Sequence, residues 1–184
     1  MKERIKSKIM DERDFARTVA RLVYEILEKN KGLENMVIVG MRTRGVYIAE
    51  RIVQKLQEVE SKKVPLGILD VTLYRDDFRT ALKQPQVQIT DIPFTIDNKN
   101  IVIVDDVLYT GRTVRAAMDA LMDFGRPASI QLAILIDRGH RELPIKADFI
   151  GKNIPTSQGE EIRVHVKEID GVDAVYLVDV SNNV

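Results

Sequence analysis

The stretch Ile101-Val102-Ile103-Val104-Asp105-Asp106-Val107-Leu108-Tyr109-Thr110-Gly111-Arg112-Thr113 decides the fold. Its first four residues form a continuous apolar run, the pattern of a strand buried on both faces of a parallel sheet. Asp105 and Asp106 follow where that strand leaves the core, then a short turn with glycine, then a helix predicted over Thr113 to Phe124. In open α/β sheets, ligands bind beyond the carboxyl ends of the strands. Thr110-Gly111-Arg112-Thr113 falls at the start of the helix, where backbone N–H groups are unpaired and the dipole favours anions. Gly111 lets the backbone approach a phosphate, and both threonine hydroxyls can donate to it. Carboxylates beside such a nest would repel a bare polyphosphate but accept hydrogen bonds from sugar hydroxyls, so the segment suits a phosphorylated sugar. A solvated strand end with a threonine cap accounts for any one of these features, not for all of them together.

Outward from this segment the chain alternates strand and helix. Phe15, Val19, Leu22, Val23, Ile26 and Leu27 recur at helical spacing between Asp11, a plausible N-cap, and Lys29, and Asn30-Lys31-Gly32 supplies a stop. Met36–Val39 reads as a buried strand, Gly45–Glu58 as a helix with Val46, Ala49, Ile52, Val53 and Leu56 on one face, and Val64–Thr72 as a strand. Downstream, Gly125-Arg126-Pro127 separates the Thr113–Phe124 helix from a strand over Ile130–Ile136. Strands linked by helical crossovers predict a mainly parallel central sheet flanked by helices. The charged stretch Tyr74–Gln84 reads as a loop, and the tail after Ile136 holds only short apolar runs.

Composition narrows the class without naming it. With 184 residues, 45% hydrophobic and 30% charged, residues 1–184 are expected to form one domain with a substantial core. No apolar run reaches the roughly 20 residues that span a bilayer, and the N-terminus lacks the pattern of a secretory signal. No cysteine is present, which excludes disulfides and thiolate metal sites and fits a reducing cytoplasm. Basic and acidic residues balance at 28 each, so a polyanionic partner would need a local patch.

A second motif, Gly40-Met41-Arg42-Thr43-Arg44-Gly45, joins a strand to a helix. Alone, Arg42 and Arg44 read as surface charge as readily as contacts to an anion. Together with the first motif they resemble the type I phosphoribosyltransferases, whose phosphoribosyl pyrophosphate (PRPP) motif is an apolar strand, two acidic residues and Thr-Gly-x-Thr. The resemblance implies that Asp105 and Asp106 hold the ribose hydroxyls, that Tyr109, Thr110, Gly111, Arg112 and Thr113 contact the 5′-phosphate, with Val107 and Leu108 also in the PRPP- and UMP-binding segment, and that Arg42, Thr43 and Arg44 face the pyrophosphate. It also implies Mg²⁺ carried mainly by PRPP, with Asp105 and Asp106 reaching it through water. The corresponding fold is a type I phosphoribosyltransferase fold with a small hood from the terminal segments.

Further blocks sharpen this. Asp70-Val71-Thr72-Leu73-Tyr74-Arg75-Asp76-Asp77, Asp137-Arg138-Gly139-His140-Arg141-Glu142-Leu143-Pro144 and Gly151-Lys152-Asn153-Ile154-Pro155-Thr156-Ser157 are similar to the bacterial pyrimidine operon attenuation regulators, which are also uracil phosphoribosyltransferases. Purine enzymes usually carry an aspartate before the Thr-Gly as a base; here the position is Tyr109, and a phenol, titrating near pH 10 in water, is a poor base at neutrality. The expected acceptor is uracil, giving UMP, with a purine enzyme or a purely regulatory RNA-binding protein as the alternatives. Arg138, oriented by Asp137, is expected at the base, with Lys152, Asn153 and Ile154 covering it. Arg75, Arg79 and Lys83 are the candidates to close over pyrophosphate, while His140 reads as an exposed turn residue and His165 as the polar face of a strand.

The resemblance further implies UMP- or UTP-responsive binding to a stem-loop of pyrimidine operon leader mRNA, and a homodimer or larger assembly. Arg13, Arg17 and Arg21 form a basic stripe on the first helix, which Lys29, Lys146 and Lys152 extend if folding gathers them. Tyr24 stands where the family has a histidine; it offers a ring for stacking on an unpaired base.

Overall fold

A computed structural model of the chain describes residues 4–72 and 89–180. In order these form β1 (Arg4–Met10), α1 (Glu12–Asn30), β2 (Met36–Met41), α2 (Arg44–Glu60), β3 (Leu66–Leu69) and β4 (Asn100–Leu108). There follow α3 (Arg112–Met122), β5 (Ser129–Asp137), β6 (Phe149–Asn153), β7 (Glu160–His165), the short α4 (Lys167–Asp170) and β8 (Ala174–Asp179).

β4 is the central strand of a five-stranded sheet ordered β3-β2-β4-β5-β6, parallel at every pairing. Its alternating side chains explain that position. Val102 and Val104 pack with Ile26, Ile48 and Ile52 of α1 and α2, whereas Ile101 and Ile103 pack with Val114, Ala117 and Leu121 of α3. Fully burying each such Val or Ile stabilises the fold by about 1.5–3 kcal/mol, more than an exposed ion pair contributes. The apolar run therefore fixes where the charged residues after it must stand. The chain steps from β2 out to β3 and then back across to β4, so the strand order reverses between β2 and β4.

Local chemistry sets the element ends. Asp11 caps α1 by accepting from the Asp14 N–H at 2.8 Å, and the helix closes with Lys31 in the left-handed region and the Gly32 N–H bonded to the Leu27 carbonyl at 3.2 Å. β3 is shorter than the expected Val64–Thr72. Pro65 has no N–H for the ladder, and past Leu69 the Asp70 carboxylate draws in the Thr72 N–H (2.9 Å) and hydroxyl (2.6 Å), turning the chain out of the sheet. β4 is longer than expected, because pairing with β5 continues past the aspartates to Val107 opposite Ile136 and Leu108 opposite Asp137. α3 stops at Met122, two residues before Phe124.

The tail contributes more order than its short runs suggested. β7 and β8 join β1 in an antiparallel sheet ordered β1-β8-β7, the hood expected from the terminal segments. Arg51 of α2 fastens the hood to the core, donating to Glu168 at 2.7 Å and Asp173 at 2.8 Å while its guanidinium lies 5.2 Å from the centre of the Phe15 ring. No helix among the described residues is long and apolar enough to cross a membrane.

α1 lies against β6, with Thr18 close over Gly151. A Cβ there would meet the Leu135 carbonyl oxygen and stand 2.7 Å from Thr18 Cγ2. Gly151→Ala is expected to strain the β5–β6 pairing and the seat of α1 and cost about 2 kcal/mol, read as a lower urea midpoint; an unchanged midpoint would show that strand and helix both yield freely.

Candidate functional site

The carboxyl ends of β2 and β4 lie side by side, with Gly40 opposite Val104. The turn after β2 and the acidic pair at the end of β4 therefore face one another at the strand-order reversal, where such sheets bind ligands. Gly45 allows the approach: a Cβ there would stand 2.6 Å from the Val104 carbonyl oxygen and 3.1 Å from Asp105 Cα. The Arg42–Thr43 peptide bond is cis and Thr43 is exposed. Arg42 Nε donates to the Ile89 carbonyl at 3.3 Å. Arg44 makes a fork with Asp170 of the hood, Nε to Oδ2 at 3.1 Å and Nη2 to Oδ1 at 2.9 Å.

Asp105 is buried and Asp106 half-buried. Each carboxylate accepts the N–H of a neighbouring residue: Asp105 from Asp106 at 2.9 Å, and Asp106 from Val107 at 2.8 Å. Burial pushes the Asp106 carboxyl above the usual range, against the pull of Asp105, the Val107 N–H and the Arg44 charge. Its ionised form is thus short of solvation and suited to hydroxyl donors or a cation. Arg44 is held above its ordinary value by the hydrogen bond to Asp170, and Asp170 below its own by the same bond.

The loop after β4 encloses a cavity of about 410 Å³ lined by Val107 through Val114 and by Glu142. Gly111, at φ 93°, is the N-cap of α3. Three successive carbonyls of the loop are taken by one neighbouring segment: Leu108 by the Arg138 N–H (3.1 Å), Tyr109 by Arg141 Nη1 (2.6 Å), Thr110 by the N–H groups of Glu142 (3.0 Å) and Leu143 (3.1 Å). A trans peptide points its N–H opposite to its C=O, so this backing turns the loop N–H groups away from residues 138–143. Arg112 Nε donates to Glu142 at 2.6 Å.

Arg138 is buried, donating to the Glu160 carbonyl at 2.7 Å and the Thr156 hydroxyl at 3.3 Å, with its guanidinium 4.0 Å from the centre of the Tyr109 ring. A second cavity, about 340 Å³, lies between Tyr109, Arg138, His140 and Ser157–Gly159. Asp137 orients Arg141 rather than Arg138: its carboxylate accepts from Arg141 Nη2 and from the Gly139 N–H at 2.9 Å. The Ile154 N–H donates to the Asp137 carbonyl at 2.8 Å; Lys152 and Asn153 at the end of β6 are exposed, and residues 152–154 do not line this cavity. His140 is exposed in a turn, 2.6 Å from the Thr156 carbonyl, and His165 packs edge-on to Tyr176 in the hood.

Two members of the basic stripe, Arg21 and Lys29, reach from α1 to the β6 segment. Arg21 donates to the carbonyls of Ile150 and Gly151 and to Glu25, Lys29 pairs with Asp148 at 2.5 Å, and Lys152 reaches the Ile9 carbonyl at 3.4 Å. Arg13, Arg17, Tyr24 and Lys146 are exposed. Arg75, Arg79 and Lys83 lie outside the described residues. Sequence reasoning gave no role to Arg141, Glu142, Thr156 and Asp170; the first three stand within quoted blocks, but each acts through a fold-dependent contact with a segment distant in the chain.

Residues 6–169 match the phosphoribosyl transferase domain family. The chain is 54% identical over 176 residues to the bifunctional protein PyrR of Pelotomaculum thermopropionicum, covering 96% of this chain and 97% of that one. It is 56% identical over 170 residues to the bifunctional protein PyrR of Clostridioides difficile, covering 92% and 96%. Among solved structures it resembles the hypoxanthine phosphoribosyltransferases of Trypanosoma cruzi (TM-score 0.71, 16% identity, 96% and 98% covered) and Staphylococcus aureus (TM-score 0.69, 20% identity, 97% and 94% covered). At those identities the likeness is one of fold.

The raised Asp106 carboxyl has a thermodynamic consequence. A carboxyl that holds its proton more tightly when folded costs stability as pH rises from its unfolded value, about 4, through its folded one. Asp106→Asn removes that cost, so the unliganded variant should show a higher urea midpoint than wild type at pH 7, the two converging below about pH 4. A difference independent of pH would refute the assignment.

Proposed function

The chain belongs to the phosphoribosyltransferase family as one of its bifunctional PyrR members, and we propose that one ligand site serves both a uracil phosphoribosyltransferase and a UMP-responsive regulator of pyrimidine operon mRNA. The observation that carries this reading is the meeting, at the strand-order reversal, of the acidic pair, the N–H-lined loop and the arginine turn.

In the reaction, N1 of uracil displaces pyrophosphate at ribose C1′ of PRPP, and the N1 proton is lost to solvent. Positive charge develops on the ribose as the leaving group departs, so catalysis rests on positioning and electrostatics. Asp105 and Asp106 accept hydrogen bonds from the ribose hydroxyls and favour that charge. Val107 through Thr113 hold the 5′-phosphate with backbone N–H groups and threonine hydroxyls. Arg42, Thr43 and Arg44 face the pyrophosphate. Arg138 and residues 152–154 border the base. The under-solvated carboxylate of Asp106 fits Mg²⁺ bound through water, an ion that would neutralise charge on the pyrophosphate.

Purine transfer is not favoured, because Tyr109 occupies the position of the purine enzymes' base and its ring is stacked on Arg138. On the regulatory side, UMP or UTP held in the same site would promote binding of leader mRNA, with phosphates contacted by the basic side chains Arg17, Arg21, Lys29, Lys146 and Lys152. β6 links the two sites, since the residue after it bonds to Asp137, next to Arg138, while Arg21 is anchored on its middle. We place this protein in the cytoplasm as a homodimer or larger assembly, where a surface built across subunits suits an RNA stem.

Pyrophosphate release should depend on uracil; turnover of hypoxanthine but not uracil would overturn the assignment. Replacing Arg17 and Arg21 with alanine should weaken UMP-promoted RNA binding and lower its salt slope by about one per lost phosphate contact, with UMP synthesis intact. Unchanged RNA affinity would remove the basic stripe from consideration.

A further inference from the structure

We propose that Asp170 of the hood is a positioning residue for the transferase reaction, holding Arg44 in the orientation that meets the pyrophosphate of PRPP. This rests on the reading that the turn over residues 42–45 faces pyrophosphate.

The geometry is that of a built contact. Both oxygens of Asp170 receive a nitrogen of the Arg44 guanidinium, at 3.1 and 2.9 Å. Such a planar fork fixes direction as well as distance. Asp170 is itself fixed, because its Oδ2 also accepts the Val166 N–H at 2.8 Å across the single turn of α4. Its side chain is 16% exposed and that of Arg44 34%, so the pair is partly withdrawn from solvent.

The need for such a partner follows from what stands on the other side. Arg44 begins α2 directly after the turn, and its charge already acts on Asp106. A guanidinium released from Asp170 would be drawn off the direction of the pyrophosphate, and Asp170 orients Arg44 against that pull.

The same hood turn supplies its own control. One face of α2 carries Arg44 and, two turns on, Arg51, and the region around α4 answers with Asp170 for the first and with Glu168 and Asp173 for the second. Glu168 and Asp170 both fasten the hood to α2, but only Asp170 touches a residue of the arginine turn. A role confined to holding the hood down would be shared by both; a role in positioning Arg44 belongs to Asp170 alone.

The test uses the full-length protein with Asp170→Asn, Asp170→Glu, Glu168→Gln and Arg44→Ala. It measures KM for PRPP, kcat, and the Kd of UMP, which has a 5′-phosphate but no pyrophosphate. Asp170→Asn is expected to raise the PRPP KM about tenfold, the scale of one charge-assisted contact, with the UMP Kd within about twofold of wild type. Asp170→Glu, which can re-form the fork, should recover most of that loss. Glu168→Gln should lower the melting temperature without moving the PRPP KM. Equal kinetic effects of Asp170→Asn and Glu168→Gln, or parallel losses of PRPP and UMP binding, would reduce Asp170 to a structural tie and overturn the proposal. An Arg44→Ala variant with wild-type PRPP KM would instead refute the pyrophosphate reading of the turn on which the proposal stands.

Discussion

The contact on which the site depends is the near-touch of two backbones, Gly45 at the start of α2 and Val104 at the end of β4's apolar run. Two strands hydrogen-bonded in parallel register bring their exits to the same level, but they do not by themselves bring the loops together. A side chain at residue 45 would push α2 outward and carry Arg42, Thr43 and Arg44 away from the acidic pair. The apolar residues of β4 hold one partner, the helix packing of Ile48 and Ile52 holds the other, and the glycine sets the distance between them. Strong, non-directional burial fixes the frame, and weak, directional contacts are arranged within it.

The fold's centre was legible in the sequence because it is written locally. A four-residue apolar run, two aspartates and a glycine turn occupy adjacent positions, and the helices before and after show their buried faces at regular spacing. β3 was read too long, because a run of strand-forming residues does not reveal that Asp70 turns back on Thr72. β6, β7 and β8 were hard to read because each is short and half-exposed, so their apolar residues make no long pattern. Apart from the alternation around His165 in β7, they entered the sequence reading only through family resemblance.

The site divides along the same line. Residues of the β4 loop could be nominated from one stretch of chain, as could the arginine turn. Their supports could not. Arg141 secures Tyr109 from 32 residues away, and Asp170 secures Arg44 from 126 residues away. Sequence reasoning paired Asp137 with its neighbour Arg138, whereas the backbone there directs it to Arg141, and Arg138 turns to Tyr109, Thr156 and Glu160. Adjacency in sequence was a good guide to which residues matter and a poor one to which of them touch.

The hood is closed by strands far apart in sequence, with Arg4 of β1 set opposite Asp179 of β8. That pairing has an order in synthesis. The strands of the parallel sheet can assemble as they are made, but β1 has no strand of the hood to bond until β8 has followed them. α4, carrying Asp170, lies between β7 and β8. The fork on Arg44 consequently closes after the parallel sheet is complete, and a chain interrupted before α4 would have the loop after β4 in place without the partner that fixes Arg44.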